Sequence, residues 1–242
     1  MLEQGKVQLQ KSMIKLVSIA DIISITNVLF GFFAIVFLIS DMVSNVDIKL
    51  RLSFSFILLG LLADGLDGIV ARRTRNSDIG EYLESIADMT SLIIAPSIFI
   101  YFVYNDFLLE NINNQIFLMI SLGLFISLGV IRLASFHKMK KKEFFLGLPA
   151  SVSTTILLIL SYFEVSFILI FISIIILSIL MISNICFPKP DLKINSIAAI
   201  LIILTIIVGK QLYGFAPILL IIAIVTYSIF GPIYRKISAK KL

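Results

Sequence analysis

The stretch LLADGLDGIVARRTRNSDIGEYLESIADMTS, residues 61–91, sets four acids into otherwise apolar surroundings. Asp64 and Asp67 are three residues apart, and Glu84 and Asp88 are four apart. On a helix either spacing puts both side chains on one face. Arg72, Arg73 and Arg75 form a short basic turn between the pairs. The two helices are therefore expected to be antiparallel neighbours, with four carboxylates converging across one groove. Like charges so close repel strongly where the dielectric is low. A divalent cation, or two, relieves that repulsion, and an all-oxygen donor set selects hard ions such as Mg²⁺, Mn²⁺ or Ca²⁺.

The rest of the chain makes those acids costly. Of 242 residues, 59% are hydrophobic and 14% charged, and mean hydropathy is +1.07. A soluble domain is about half apolar and about a quarter charged. An ordinary cytosolic enzyme, a disordered chain and a secreted disulfide scaffold are all excluded. A single Cys, Cys186, leaves no intramolecular disulfide, and a single His, His137, no multi-histidine metal site. Apolar runs near 18–40, 50–73, 78–104, 115–136, 147–164, 165–187, 194–209 and 215–234 predict an all-α polytopic membrane bundle of about eight transmembrane helices in one domain. Long runs without period-two alternation favour helices over a barrel. A crossing takes about 20 residues, so the fifth and seventh runs are expected to be tilted, centrally packed or partly interfacial. Residues 1–17 show no cleavage site and read as an interfacial helix or a frayed tail.

Basic residues orient the bundle. With the N-terminus inside, alternate loops collect Lys6, Lys11, Lys15; Arg72, Arg73, Arg75; Lys138 and Lys140–Lys142; Lys189, Lys193; and Arg235, Lys236, Lys240, Lys241. The opposite loops hold Lys49, Arg51 and Lys210. This asymmetry predicts cytoplasmic N- and C-termini and a carboxylate groove at the cytoplasmic face of the cell membrane. The net charge of +5 is thus topological. It attracts anionic lipid headgroups and calls for no nucleic acid.

Small residues accompany the acids. Gly65, Gly68 and Ala71 flank the first pair, and Gly80 begins the face carrying Glu84 and Asp88. Each helix glycine costs about 1 kcal/mol relative to alanine, so something large is expected to approach the backbone; a nucleotide diphosphate fits. Arg72 is placed to reach a phosphate, and Asp78 reads as a helix N-cap or a solvated charge. Arg132 is the one cation well inside an expected span. A lone guanidinium suits a single carboxylate; snorkelling or pairing with a site acid is the alternative.

With these residues in view, the sequence resembles the CDP-alcohol phosphotransferase family, whose pattern is D-x-x-D-G-x-x-A-R followed by G-x-x-x-D-x-x-x-D. Here it reads Asp64, Asp67, Gly68, Ala71, Arg72, then Gly80, Glu84, Asp88, with Glu84 in place of an Asp. Glu keeps the charge and the oxygen ligands on a longer stem. The segments SITNVLFGFFAI (24–35), SIADMTSLIIAP (85–96), RLASF (132–136) and FFLGLP (144–149) resemble the serine-using branch. The resemblance implies a six-helix core plus two helices here, and a homodimer. It implies transfer from CDP-diacylglycerol or CDP-archaeol to L-serine, releasing CMP. Asp64, Asp67, Glu84 and Asp88 would bind two Mg²⁺ or Mn²⁺ ions, with Ca²⁺ able to occupy the site. Asp88 would be the general base, with Asp67 beside it in the catalytic set. Asn27, Asp64, Gly68, Ala71, Arg72 and Gly80 would border the CDP moiety.

Three other readings compete. The acceptor could be glycerol phosphate or inositol phosphate, which would favour a larger cationic cluster than Arg132 alone. The acids could be the ion site of a transporter, but transporters tend to show repeated halves with sites near the midplane. The chain could also be a non-catalytic relative, given Glu84.

Overall fold

A computed structural model of the chain describes residues 17–71, 79–108, 112–139 and 144–239; the side chains of 67–71, 106–108, 137, 138 and 234–239 are outside that description. The expected interfacial segment at the N-terminus, Arg72 and Asp78 lie outside the described residues, and α3 opens after Ile79 without a side-chain cap.

Each apolar run forms helix. The elements are α1 (Ile19–Ile39), α2 (Val46–Ala71), α3 (Gly80–Asp88), a π turn (Met89–Ile94), α4 (Ala95–Leu108), α5 (Ile112–Met139), α6 (Ala150–Tyr162), α7 (Phe167–Met181), α8 (Leu192–Val208) and α9 (Gln211–Ala239). Helix α1 starts with a capping box: Ser18 Oγ accepts from the Asp21 amide, and the Asp21 carboxylate accepts from the Ser18 amide at 2.6 Å. Such a cap contributes about 1 kcal/mol. Helix α2 starts four residues earlier than the apolar run suggests, because the Asn45 side chain accepts from the Ile48 amide at 3.1 Å and caps it. The run at 165–187 stops at Met181, and its tail becomes a strand. Two three-residue strands, β1 (Phe144–Leu146) and β2 (Cys186–Pro188), pair antiparallel, with Phe145 opposite Phe187. They are too short to carry a periodic signal. Helix α9 begins with a left-handed turn at Leu212, Tyr213 and Gly214, so its regular part starts where the apolar run does.

Among the described residues, four stretches are long and apolar enough to cross a membrane: Ile19–Ile39, Gly80–Asn105, Ile112–Phe136 and Gln211–Ile233. The chain is an integral membrane protein. Helix α2 has the length, at 26 residues, but carries Asp47, Lys49 and Arg51 at one end and Asp64 and Asp67 at the other. The two short runs resolve differently. Helix α6 is buried along nearly its whole length, so it is the centrally packed one; α8 buries only Ile202 and Thr205 and lies at the periphery.

Helix α1 packs along α2 and α3, α5 against α7, and α8 against α9. Two apolar clusters result. One, around Phe54, Ile57, Leu58 and Phe99, joins α2 and α4; the other, around Phe125, Leu118 and Ile174, joins α5 and α7. Helix α6 contributes to both, through Leu158 and Ile159 to the first and Leu157 to the second.

Candidate functional site: an acidic groove between α1, α2 and α3

The groove is built by close backbone approach. In lipid, helices associate through packing and small residues rather than through a hydrophobic drive. A Cβ on Gly31 of α1 would lie 2.9 Å from Ser91 Cα in the π turn. One on Gly60 of α2 would lie 2.9 Å from Asn27 Oδ1 and 3.0 Å from Ser91 Cβ. These two glycines bring three helices together at one level. Gly65, one turn on from Leu61, is the opposite case: a Cβ there meets nothing within 4 Å.

The acids gather at this junction. Asp88, the last residue of α3, is only 8% exposed. Its Oδ1 accepts a hydrogen bond from Asn27 Nδ2 at 3.3 Å, and Asn27 is fully buried. Asp64 of α2 lies within hydrogen-bonding reach of Asp88, and Glu84 is close enough to repel it electrostatically. Gly80 begins α3, half-buried, two turns before Asp88 on the same face. The backbone of α2 carries Asp67, Gly68 and Ala71 one to two turns beyond Asp64, but their side chains are not described.

Two carboxyl groups at hydrogen-bonding distance need a proton or a cation between them. Among the described side chains, no three acidic, His or Cys groups converge tightly enough to hold a metal ion unaided. Asp67, on the face of Asp64, is the remaining carboxylate of the motif. The donor set is all oxygen, which fits a hard divalent ion.

Arg132 lines a second feature, a small cleft. It lies on α5, 9% exposed, with its guanidinium carbon 5.3 Å from the centre of the Phe136 ring. Its Nε has no hydrogen-bond partner among the described residues. It lines a cleft of about 140 Å³ together with Ser135, Phe136, Phe145, Ser183 and Asn184. The wall of that cleft is β1 and the end of α7 with the turn that follows it, and none of Asp64, Glu84 and Asp88 lines it. Helix α5 nevertheless packs on α3 and the π turn, with Gly129 set against Ile93.

The structure therefore brings together Asn27, Asp64, Glu84 and Asp88. Sequence reasoning missed Gly31, Gly60 and Ser91. Their signal is weak: a glycine inside an apolar helix marks a close approach without naming the partner.

The family model described as CDP-alcohol phosphatidyltransferase matches residues 17–229. The CDP-diacylglycerol–serine O-phosphatidyltransferase of Methanocaldococcus jannaschii is 34% identical over 181 residues, covering 74% of this chain and 78% of that protein. The archaetidylserine synthase of Methanothermobacter thermautotrophicus is 32% identical over 189 residues, covering 75% and 74%. A Bacillus subtilis CDP-diacylglycerol–serine O-phosphatidyltransferase is 35% identical over 136 residues, covering 55% and 72%.

Proposed function

Since the chain belongs to the CDP-alcohol phosphatidyltransferase family, we propose that it transfers a phosphatidyl or archaetidyl group from a CDP-linked lipid to L-serine and releases CMP. The observation that carries this reading is the meeting of Asp64 and Asp88 against the buried Asn27 amide. The names of its relatives supply the acceptor.

Asp64, Asp67, Glu84 and Asp88 are the residues that would hold one or two divalent ions, Mg²⁺ or Mn²⁺. When bound, such ions neutralise the pyrophosphate and the departing CMP. The serine hydroxyl attacks the lipid-bearing phosphorus, a new P–O bond forms, and the bond to CMP breaks. Asp88 takes the hydroxyl proton as general base. The Asn27 amide, donating to Asp88 Oδ1, keeps the other oxygen turned to the acceptor. Gly65, Gly68, Ala71 and Gly80 leave room for the CDP group, and Arg72 pairs with a phosphate oxygen. Arg132 receives the serine carboxylate, since a buried guanidinium beside a small cleft gains most from a single planar anion.

The basic loops put the groove on the cytoplasmic side, where serine and CMP are soluble, while the lipid enters sideways from the bilayer. Eight crossings and a homodimer complete the reading. The test is CMP release by purified protein given a CDP-lipid, Mn²⁺ and each acceptor in turn. Release that requires both serine and the metal is expected. Release only with glycerol phosphate or inositol phosphate overturns the acceptor, and undiminished release in EDTA overturns the metal.

A further inference from the structure

The π turn that follows Asp88 has an identifiable cause. Pro96 sits in the first turn of α4 and has no amide hydrogen to give to the Leu92 carbonyl four residues back; in a regular helix its ring would also press on that carbonyl. Widening the helix over Met89–Ile94 relieves the clash: Ala95 N–H bonds to Thr90 O, five residues back. π turns of this kind recur at functional sites. Pro96 therefore denies Leu92 O the α-helical donor four residues on, in a place where Leu92 is buried from lipid and water alike. An unpaired carbonyl at that depth is costly.

The missing donor comes from another helix. Thr154, in the second turn of α6 and 1% exposed, donates its Oγ1 hydrogen to Leu92 O. The same turn presents Ser91, whose Cα and Cβ fit against Gly31 and Gly60. The π turn is thus held on one side by α6 and on the other by α1 and α2, and Asp88 is the residue from which it springs. Had the helix run on without the extra residue, everything N-terminal to it would be rotated by about 100° relative to α4.

We propose that Thr154 is a positioning residue for the reaction: by supplying the hydrogen bond that Pro96 withholds, it holds the π turn in the register that sets Asp88 against Asn27 and Asp64. This rests on the reading above that Asp88 belongs to a metal-binding, catalytic set. Thr154 touches neither substrate nor metal.

Thr154→Val keeps the shape and removes the donor; Thr154→Ser keeps the donor. Two readouts apply to the full-length protein in detergent. Mn²⁺ binding by electron paramagnetic resonance needs no acceptor, and CMP release gives kcat and KM with whichever acceptor supports turnover. Thr154→Val should lower kcat about tenfold and weaken Mn²⁺ binding severalfold, with KM for the acceptor within twofold of the parent. Thr154→Ser should restore both to within about twofold. If Thr154→Val is not recovered folded, Thr154→Ala takes its place. Parental kcat and Mn²⁺ affinity in the donorless variant overturn the proposal. So does a serine variant as impaired as the valine one, which would mean that packing, not the hydrogen bond, matters. A parent that binds no Mn²⁺ indicts the metal reading instead, and a parent that binds Mn²⁺ but ignores serine indicts only the acceptor.

Discussion

At the scale of single residues, Asp88 and Asn27 carry the most weight. Asp88→Asn keeps the shape and loses the proposed base, and a positioned general base is worth about 10²- to 10⁴-fold. CMP release should fall by that factor while the protein still elutes as a folded species. Asn27→Ala removes the hydrogen bond to Asp88 Oδ1. A bond to a charged group contributes about 1.5–3 kcal/mol, so kcat should drop at least about tenfold in the same assay. The meeting of Asp64, Glu84 and Asp88 was legible because carboxylates in apolar sequence at helical spacing favour one shared face. Ser91 was not legible: its role is to be small and close to two glycines of other helices, a relation the linear sequence does not express. Arg132 was visible as a lone internal cation, but its placement on a cleft walled by β1 and the end of α7 came only from the fold.

At the scale of elements, the glycines of α1 and α2 split into two kinds. Gly31 meets backbone, at 2.9 Å from Ser91 Cα, which cannot swing aside. Gly31→Ala should destabilise the protein by about 1–3 kcal/mol, as overpacking does, despite the better helix propensity of alanine. Gly65 meets nothing within 4 Å. Gly65→Ala should stabilise the ligand-free protein by up to about 1 kcal/mol. Thermal unfolding in detergent checks both signs. The apolar runs forecast the helices because continuous hydrophobicity of that length has one solution in a bilayer. They did not forecast the π turn, although Pro96 lies inside the third run in plain sight, because a proline marks a disturbance without specifying a kink, a break or a widening. Nor did they separate α6 from α8. The small polar residues Ser153, Thr154, Thr155 and Ser161 of α6 were the clue to its central position, since such side chains face neighbouring helices rather than lipid.

At the scale of the whole molecule, the topology expected from the basic loops is open to a direct check. Cys186 is the single cysteine of the chain. With Cys186→Ser as background, Met42→Cys and Tyr213→Cys, both at strongly exposed positions, should react with an impermeant maleimide added outside intact cells. Met139→Cys should react only after the membrane is opened. Labelling of Met139→Cys from outside would break the eight-crossing arrangement. The β1–β2 ribbon bears on the same scale. Gly147 adopts φ of +75° and its amide donates to Ile185 O at 2.8 Å; a Cβ there would fall 2.2 Å from Met181 O. Leu148 N bonds Leu180 O, and Tyr227 of α9 donates to Pro188 O at 2.7 Å. One side of the Arg132 cleft is therefore riveted to both α7 and α9. If the proposed acceptor site is right, a wall so fastened would work as a fixed-aperture sieve, turning bulky polyols away by dimension before charge is consulted and letting an amino acid pass.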